Sequence, residues 1–175
     1  DIVMLGNSLT ENGGDWAARL GNKHVRNRGI IGDEVMGVYD RLHQILPGQP
    51  AKLFLLIGVN DVSHDLTADS IGMIRMTVER IRKESPDTRL YLQSLLPINE
   101  SFGRYKRLAG KTNLIPEINK QLEALAKEKG LTYINLFPLF TEKGSNVLRA
   151  DLTTDGLHLK EEGYKIWAKA LRKKI

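Results

Sequence analysis

Four short blocks of this chain carry residues suited to acyl transfer. Near the start, an apolar run ends in a glycine and a serine follows two residues later: Ile2-Val3-Met4-Leu5-Gly6-Asn7-Ser8-Leu9-Thr10. Near the end, a histidine stands three residues after an aspartate in Asp155-Gly156-Leu157-His158-Leu159. Between them lie Gly29-Ile30-Ile31-Gly32-Asp33 and Gly58-Val59-Asn60-Asp61. Acyl transfer needs a hydroxyl nucleophile, a histidine to take its proton, a carboxylate to hold that histidine's tautomer, and donors for the developing oxyanion. Ser8 is the candidate nucleophile and His158 the candidate base. From a turn or helix start, the Asp155 carboxylate can reach the imidazole Nδ1 while Nε2 faces outward. The candidate oxyanion donors are the backbone N–H groups of Ser8 and Gly32 and the side-chain amide of Asn60. Glycine lets backbone approach a ligand closely, and asparagine presents a neutral N–H.

Each block alone has a plainer reading. Ser8 could cap the helix after its strand. Gly29 rivals Gly32. Asn60 and Asp61 could form an Asx-turn and N-cap pair, a reading accepted here for Asp61 but not for Asn60. The joint presence of all four blocks favours the chemical reading, provided that the fold brings them together.

The elements that must position them are legible as alternation. Short β-branched or apolar runs at Ile2–Leu5, His24–Arg28, Lys52–Ile57, Arg89–Leu95 and Thr132–Asn135 read as strands. Leu53-Phe54-Leu55-Leu56-Ile57 is apolar throughout, as expected of a strand covered on both faces. Helical spacing marks Asp15–Leu20, Glu34–Leu46, Thr67–Glu84, Ile115–Lys129 and Glu161–Lys173, with Pro86 and Gly130 as stop signals. Alternating strands and helices predict a doubly wound α/β fold: a five-stranded parallel sheet with helices on both faces. The turns that follow the first three strands then share one rim. Two segments are long for simple connections, Pro97–Lys111 and Phe137 to about Thr154, and long loops in compact domains tend to be functional.

With the elements in place, the four blocks resemble the SGNH subgroup of the GDSL esterase/lipase family, which is named for a serine, glycine, asparagine and histidine in separate blocks. Gly6-Asn7-Ser8-Leu9 is similar to the first block, with Asn7 where the commoner form has aspartate. Gly32 matches the second, Asn60 the third, and Asp155 with His158 the last. The resemblance implies a three-layer flavodoxin-like sandwich and metal-independent ester hydrolysis through an acyl-enzyme, with no cofactor.

Bulk properties narrow the remaining choices. A chain of 175 residues with 41% hydrophobic and 27% charged residues suits one globular domain over 1–175. The absence of cysteine excludes disulfides and thiolate chemistry. No apolar run is long enough to span a bilayer. The net charge of +5 comes without any nucleic-acid-binding pattern, so the expected partner is a small-molecule or glycan ester. The chain starts inside an apolar run at Asp1, and the natural protein is expected to begin earlier. The compartment, periplasmic or secreted or cytoplasmic, stays open, as does the oligomeric state.

Lacking a cap domain, the site is expected to be open and shallow, suited to acetyl on a sugar or other polar alcohol. A lysophospholipase- or thioesterase-like enzyme for longer chains is the alternative. A non-catalytic flavodoxin-like module for phosphate or nucleotide is the alternative of another class. His64, Arg104 and Tyr105 are weaker candidates for substrate contact. Trp16 and Trp167 are expected in the core.

Overall fold

The computed structural model describes residues 1–175. Five parallel strands form one sheet: β1 (Ile2–Gly6), β2 (Val25–Gly29), β3 (Lys52–Leu56), β4 (Arg89–Gln93) and β5 (Thr132–Ile134). Their order is β2-β1-β3-β4-β5. Seven α-helices accompany them: α1 (Ser8–Glu11), α2 (Trp16–Leu20), α3 (Val35–Asp40), α4 (Val59–Ser63), α5 (Thr67–Glu84), α6 (Leu114–Lys129) and α7 (Glu161–Leu171). The connection from β1 to β2 runs one way along the sheet and the later crossovers run the other. Right-handed crossovers therefore put helices on both faces. In succession α3, α5 and α6 pack together, whereas α7 returns to pack on α2. No helix is long and apolar enough to cross a membrane.

Leu53, Phe54, Leu55 and Leu56 of β3 are wholly buried, which accounts for the unbroken apolar run. Each such side chain contributes about 1.5–3 kcal/mol of burial. Trp16 and Trp167 meet edge-on at 5.0 Å between ring centroids, both buried. Their indole N–H groups donate to Thr10 O and Gln93 Oε1, so both are core residues, as expected.

The sequence reading and the structure differ in two helical segments. The helix expected over 34–46 ends at Asp40, and 3₁₀ turns follow at Leu42–Gln44 and Leu46–Gly48. Pro47 has no N–H to continue a helix and disfavours α geometry in the residue before it. In the turns after β1 and β3, short α1 and α4 are present although neither is long enough to show a helical period.

The register sets the height of the site. Gly6 stands level with Gly29 of β2 and Leu56 of β3. Strand order reverses direction between β1 and β3, and the crevice outside the carboxyl ends of strands at such a point is where doubly wound folds place ligands.

Candidate active site

Ser8 follows β1 directly and is the first residue of α1. It does not cap that helix. Asn7 does so: its Oδ1 accepts from Leu9 N–H at 3.0 Å, and its backbone is extended. The helix-cap reading of Ser8 thus falls to its neighbour, and the Ser8 hydroxyl is left free for another partner. That partner is His158, whose Nε2 lies 2.9 Å from Ser8 Oγ. As the first residue of a helix, Ser8 also has a backbone N–H with no intrahelical acceptor. Asn7 leaves one loose end: its Nδ2 is buried without a partner.

The second turn separates the two rival glycines. A side chain on Gly29 would run into the backbone of Glu11 and Asn7. Gly29 is therefore a packing glycine that lets α1 lie close on β2. Gly32 has open space around it and φ +80, a left-handed conformation that favours glycine. It lines the recess that holds Ser8 and His158.

The third turn supplies Asn60 in α4. Asn60 Nδ2 donates to Asp33 O at 2.8 Å, which fixes the amide and leaves its second N–H available. Asp61 corrects its expected role. It does not cap its own helix, whose N-cap position is Gly58 and which has no side-chain cap. Instead its Oδ1 reaches across to accept from Val35 N–H at the start of α3. Asp61 is wholly buried and its Oδ2 has no partner. Burial pushes its carboxyl up to about 6, and the nearby Glu34 adds to this against the Val35 N–H and His64.

A largely shielded ion pair ties the first two turns together. Arg41 Nε donates to Asp33 Oδ2 at 2.8 Å, and the same guanidinium reaches Arg28 O and Gly6 O. Both side chains are nearly covered.

The last block lies on an irregular segment after Leu152. Its geometry comes from Asp155, which gathers donors at both oxygens. Oδ1 accepts from Leu157 N–H at 2.9 Å and His158 N–H at 2.7 Å, and Oδ2 accepts from His158 Nδ1–H at 2.6 Å. Tyr105 O–H also donates to Oδ2, at 2.9 Å. Burial alone would raise this carboxyl, but the hydrogen bonds from the His158 side chain, the two backbone N–H groups and Tyr105 outweigh it and hold it at about 2. Asp155 is thus ionised and binds Nδ1–H, so Nε2 is the lone-pair nitrogen facing Ser8. Thr153 Oγ1 braces the turn by donating to His158 O and accepting from Gly156 N–H.

Ser8, Gly32, Asn60 and His158 line one recess of about 260 Å³, with Val59, Leu108 and Leu157 among its apolar walls. The arrangement can move a proton from Ser8 Oγ to an imidazole held by a carboxylate, beside three N–H groups able to meet an oxyanion.

The weaker candidates divide. His64 does not line the recess and pairs with Glu34 through Nδ1 at 3.0 Å. Arg104 lines a neighbouring cavity of about 150 Å³ on the other side of Tyr105. Tyr105 lines both hollows, and its hydroxyl is engaged by Asp155. Sequence reasoning missed that contact, along with Arg41 and the reach of Asp61. The signals for Tyr105 were its place in a long loop and in the basic run Arg104-Tyr105-Lys106-Arg107, which pointed to a substrate contact and not to Asp155. Arg107 Nε on Ser63 O and Lys111 Nζ on Val62 O anchor that loop to α4.

Known proteins share this architecture. The chain is 26% identical over 174 residues to an N-acylneuraminate cytidylyltransferase of Escherichia coli O18:K1:H7 (strain RS218 / NMEC), matching 95% of this chain and 38% of that protein. It therefore spans well under half the length of that relative. A solved structure described as a candidate platelet activating factor from Streptococcus pneumonia superposes with a TM-score of 0.88 at 27% identity, over 99% of this chain and 82% of the other. The acetyl xylan esterase AlAXEase superposes with a TM-score of 0.82 over 99% of this chain and 98% of its own, at 19% identity, a likeness of fold. Residues 4–166 match the model of the GDSL-like lipase/acylhydrolase family, a span that begins within β1 and takes in Ser8, Gly32, Asn60, Asp155 and His158. The chain belongs to the GDSL-like lipase/acylhydrolase family.

Proposed function

We propose that residues 1–175 act as one ester-hydrolase domain that removes small acyl groups, above all acetyl, from a carbohydrate or other polar alcohol. His158 Nε2 takes the Ser8 Oγ proton as Oγ attacks the ester carbonyl. The oxyanion is met by the N–H groups of Ser8 and Gly32 and by Asn60 Nδ2. His158 returns the proton to the departing alcohol, then activates water to cleave the acyl-enzyme. Asp155 holds the imidazole in the required tautomer and stabilises its charged form. The single observation that carries this reading is the 2.9 Å contact between Ser8 Oγ and His158 Nε2 at the recess.

The preference for a short acyl group rests on the shape of the walls. Val59, Leu108 and Leu157 are buried, whereas Ile31 is 67% exposed. A long acyl chain leaving this recess would lie largely in water. The acetyl xylan esterase shares the fold, and the Escherichia coli relative is named for a sugar substrate. Both agree with a glycan ester.

One observation favours a second reading. Ile30 and Ile31 together present exposed apolar surface beside the recess, which a longer acyl chain of a lysophospholipid or thioester could cover. A series of p-nitrophenyl esters separates the two. The first reading expects kcat/KM to be highest for acetyl and to fall with chain length. Rates that climb steeply from acetyl to octanoyl would transfer support to the second. Acetylated sugars and xylan fragments then test the alcohol side.

A further inference from the structure

Tyr105 lines two hollows, and its ring meets that of His158 in an edge-to-face arrangement with 5.9 Å between centroids. Its hydroxyl lies 2.9 Å from Asp155 Oδ2 and 3.2 Å from His158 Nδ1. A phenol next to a carboxylate and an imidazole N–H has one good arrangement. The O–H donates to the carboxylate, and the N–H donates to the same oxygen from the other side. Asp155 Oδ2 therefore serves two donors at once, and Oδ1 serves two backbone N–H groups.

We propose that Tyr105 is a positioning residue of the ester-hydrolysing site, acting through Asp155 to set the orientation of the His158 ring and how strongly the carboxylate holds its charged form. The inference rests on the assignment of Ser8, His158 and Asp155 to hydrolysis, and it adds a role for a residue outside that set.

The physical argument concerns competition for one oxygen. A hydrogen bond to a charged group is stronger than a neutral one. Tyr105 draws charge from Oδ2 that would otherwise go to the imidazolium. Removing the phenol O–H leaves Oδ2 to His158 alone. The carboxylate then binds the protonated ring more tightly, so the free base forms only at higher pH. The His158 ring also loses the hydroxyl 3.2 Å from its Nδ1, and the looser orientation of Nε2 toward Ser8 is what slows turnover. Tyr105 keeps its proton throughout: burial and the Asp155 carboxylate beside it raise its pKa, with only Arg104 opposing. No proton passes through it during turnover.

Few other charges face this cluster. Arg104, Lys106 and Glu100 line the hollow behind Tyr105, and Glu100 is occupied by Gly110 N–H and Thr112. The rest of the recess around Ser8 is uncharged. The loop is held independently of the phenol, by buried Leu108 and by Arg107 and Lys111 on α4. Tyr105 itself is 38% exposed, so Tyr105→Phe is not expected to disturb folding.

The test combines kinetics with a readout that needs no turnover. With p-nitrophenyl acetate, a neutral substrate, Tyr105→Phe should lower kcat about three- to tenfold and leave KM within twofold. The acid limb of its kcat/KM profile should move up by about half a pH unit, because the protonated ring is now held more firmly. In parallel, the ¹⁵N shifts of the His158 ring are followed against pH in Ser8→Ala and in Ser8→Ala/Tyr105→Phe, with the ring assigned by its loss in His158→Gln. The titration should move in the same direction by a similar amount. A loss confined to KM, with the acid limb and ring titration in place, would overturn the proposal and make Tyr105 a substrate contact. The two readings fail separately. A shifted ring titration in a protein that cleaves no ester keeps the Tyr105 role and removes the hydrolase assignment. Ester cleavage with an unmoved titration does the reverse.

Discussion

Asp61 and Asp155 flank the same site and are pushed in opposite directions. Asp61 belongs to the half built on the turns after β1, β2 and β3. It is wholly buried, has one donor on Oδ1 and none on Oδ2, and its carboxyl is pushed up to about 6. Asp155 belongs to the half built on the irregular C-terminal segment. It is also shielded, but its oxygens accept from His158, Leu157 and Tyr105, and it is held at about 2. Burial acts on both, and the donors decide the sign. The strand-borne half hangs from Gly6, Gly29 and Leu56, which are level in the sheet, and Arg41 ties its first two turns through Asp33, Arg28 O and Gly6 O. The C-terminal half lies outside the sheet: a single bridge between Thr153 and Leu159 closes it, and inside that closure Asp155 gathers the donors that orient His158.

The comparison is broken most severely at Asp155. Asp155→Asn keeps the shape but loses the charge and can present an N–H where Nδ1–H must donate. Turnover should fall about 10⁴-fold, with a lowered Tm because the turn loses its strongest acceptor. An Asp155→Asn enzyme within tenfold of wild type in kcat would detach this half from the chemistry.

Asn60→Ala asks the same of the strand-borne half. Turnover should fall about 10²–10³-fold, the usual effect of losing one oxyanion donor. The sheet should hold the turn, so urea midpoints are expected to stay close to wild type. A large loss of stability with little loss of turnover would reverse the assignment.

The titrations of the two aspartates give a third, smaller effect with a defined sign. An unfolded carboxyl titrates near 4. Asp155 is lower when folded, so its contribution is fully present above about pH 4 and disappears as pH falls toward 2. Asp61 is higher when folded, so its neutral form supports the fold below about pH 4 and that support is lost as pH rises through 6. Asp61→Asn should remove the decline between pH 4 and 6. Its stability should then stay level from pH 4 to pH 7 while that of the wild type falls. Urea unfolding across that range checks it, and parallel curves for the two proteins would contradict the reading of Asp61.

The smallest effect is expected at Asn7. Asn7→Ala removes the cap of α1 and should cost about 1 kcal/mol, with a modest loss of turnover through looser placement of Ser8. Thermal unfolding and initial rates measure the two together. A gain in stability would mean that the unpaired Nδ2 of Asn7 costs more than its Oδ1 contributes.

The same division explains what could be read from the sequence. The inner strands were legible because burial on both faces leaves a continuous apolar run, as in Leu53–Leu56, whereas the edge strand β2, with only Val25 buried, was legible through the alternation around it. The four blocks were legible because strand ends deliver Ser8, Gly32 and Asn60 to one rim by topology. Ser8 as a cap was a local reading, and Asn7 displaced it by one residue, within the uncertainty of any helix start. Arg41 on Gly6 O, Asp61 on Val35 N–H and Tyr105 on Asp155 were not legible. Each joins loops or elements far apart in sequence, and no period or spacing encodes such a contact.

The central claim is that Ser8 is the nucleophile, and a fluorophosphonate probe tests it most directly. Intact mass and peptide mapping should show one covalent adduct, on Ser8, formed in step with loss of esterase activity and absent from Ser8→Ala. Folded protein that takes up no label at Ser8, or a Ser8→Ala variant that still hydrolyses esters, would contradict the account.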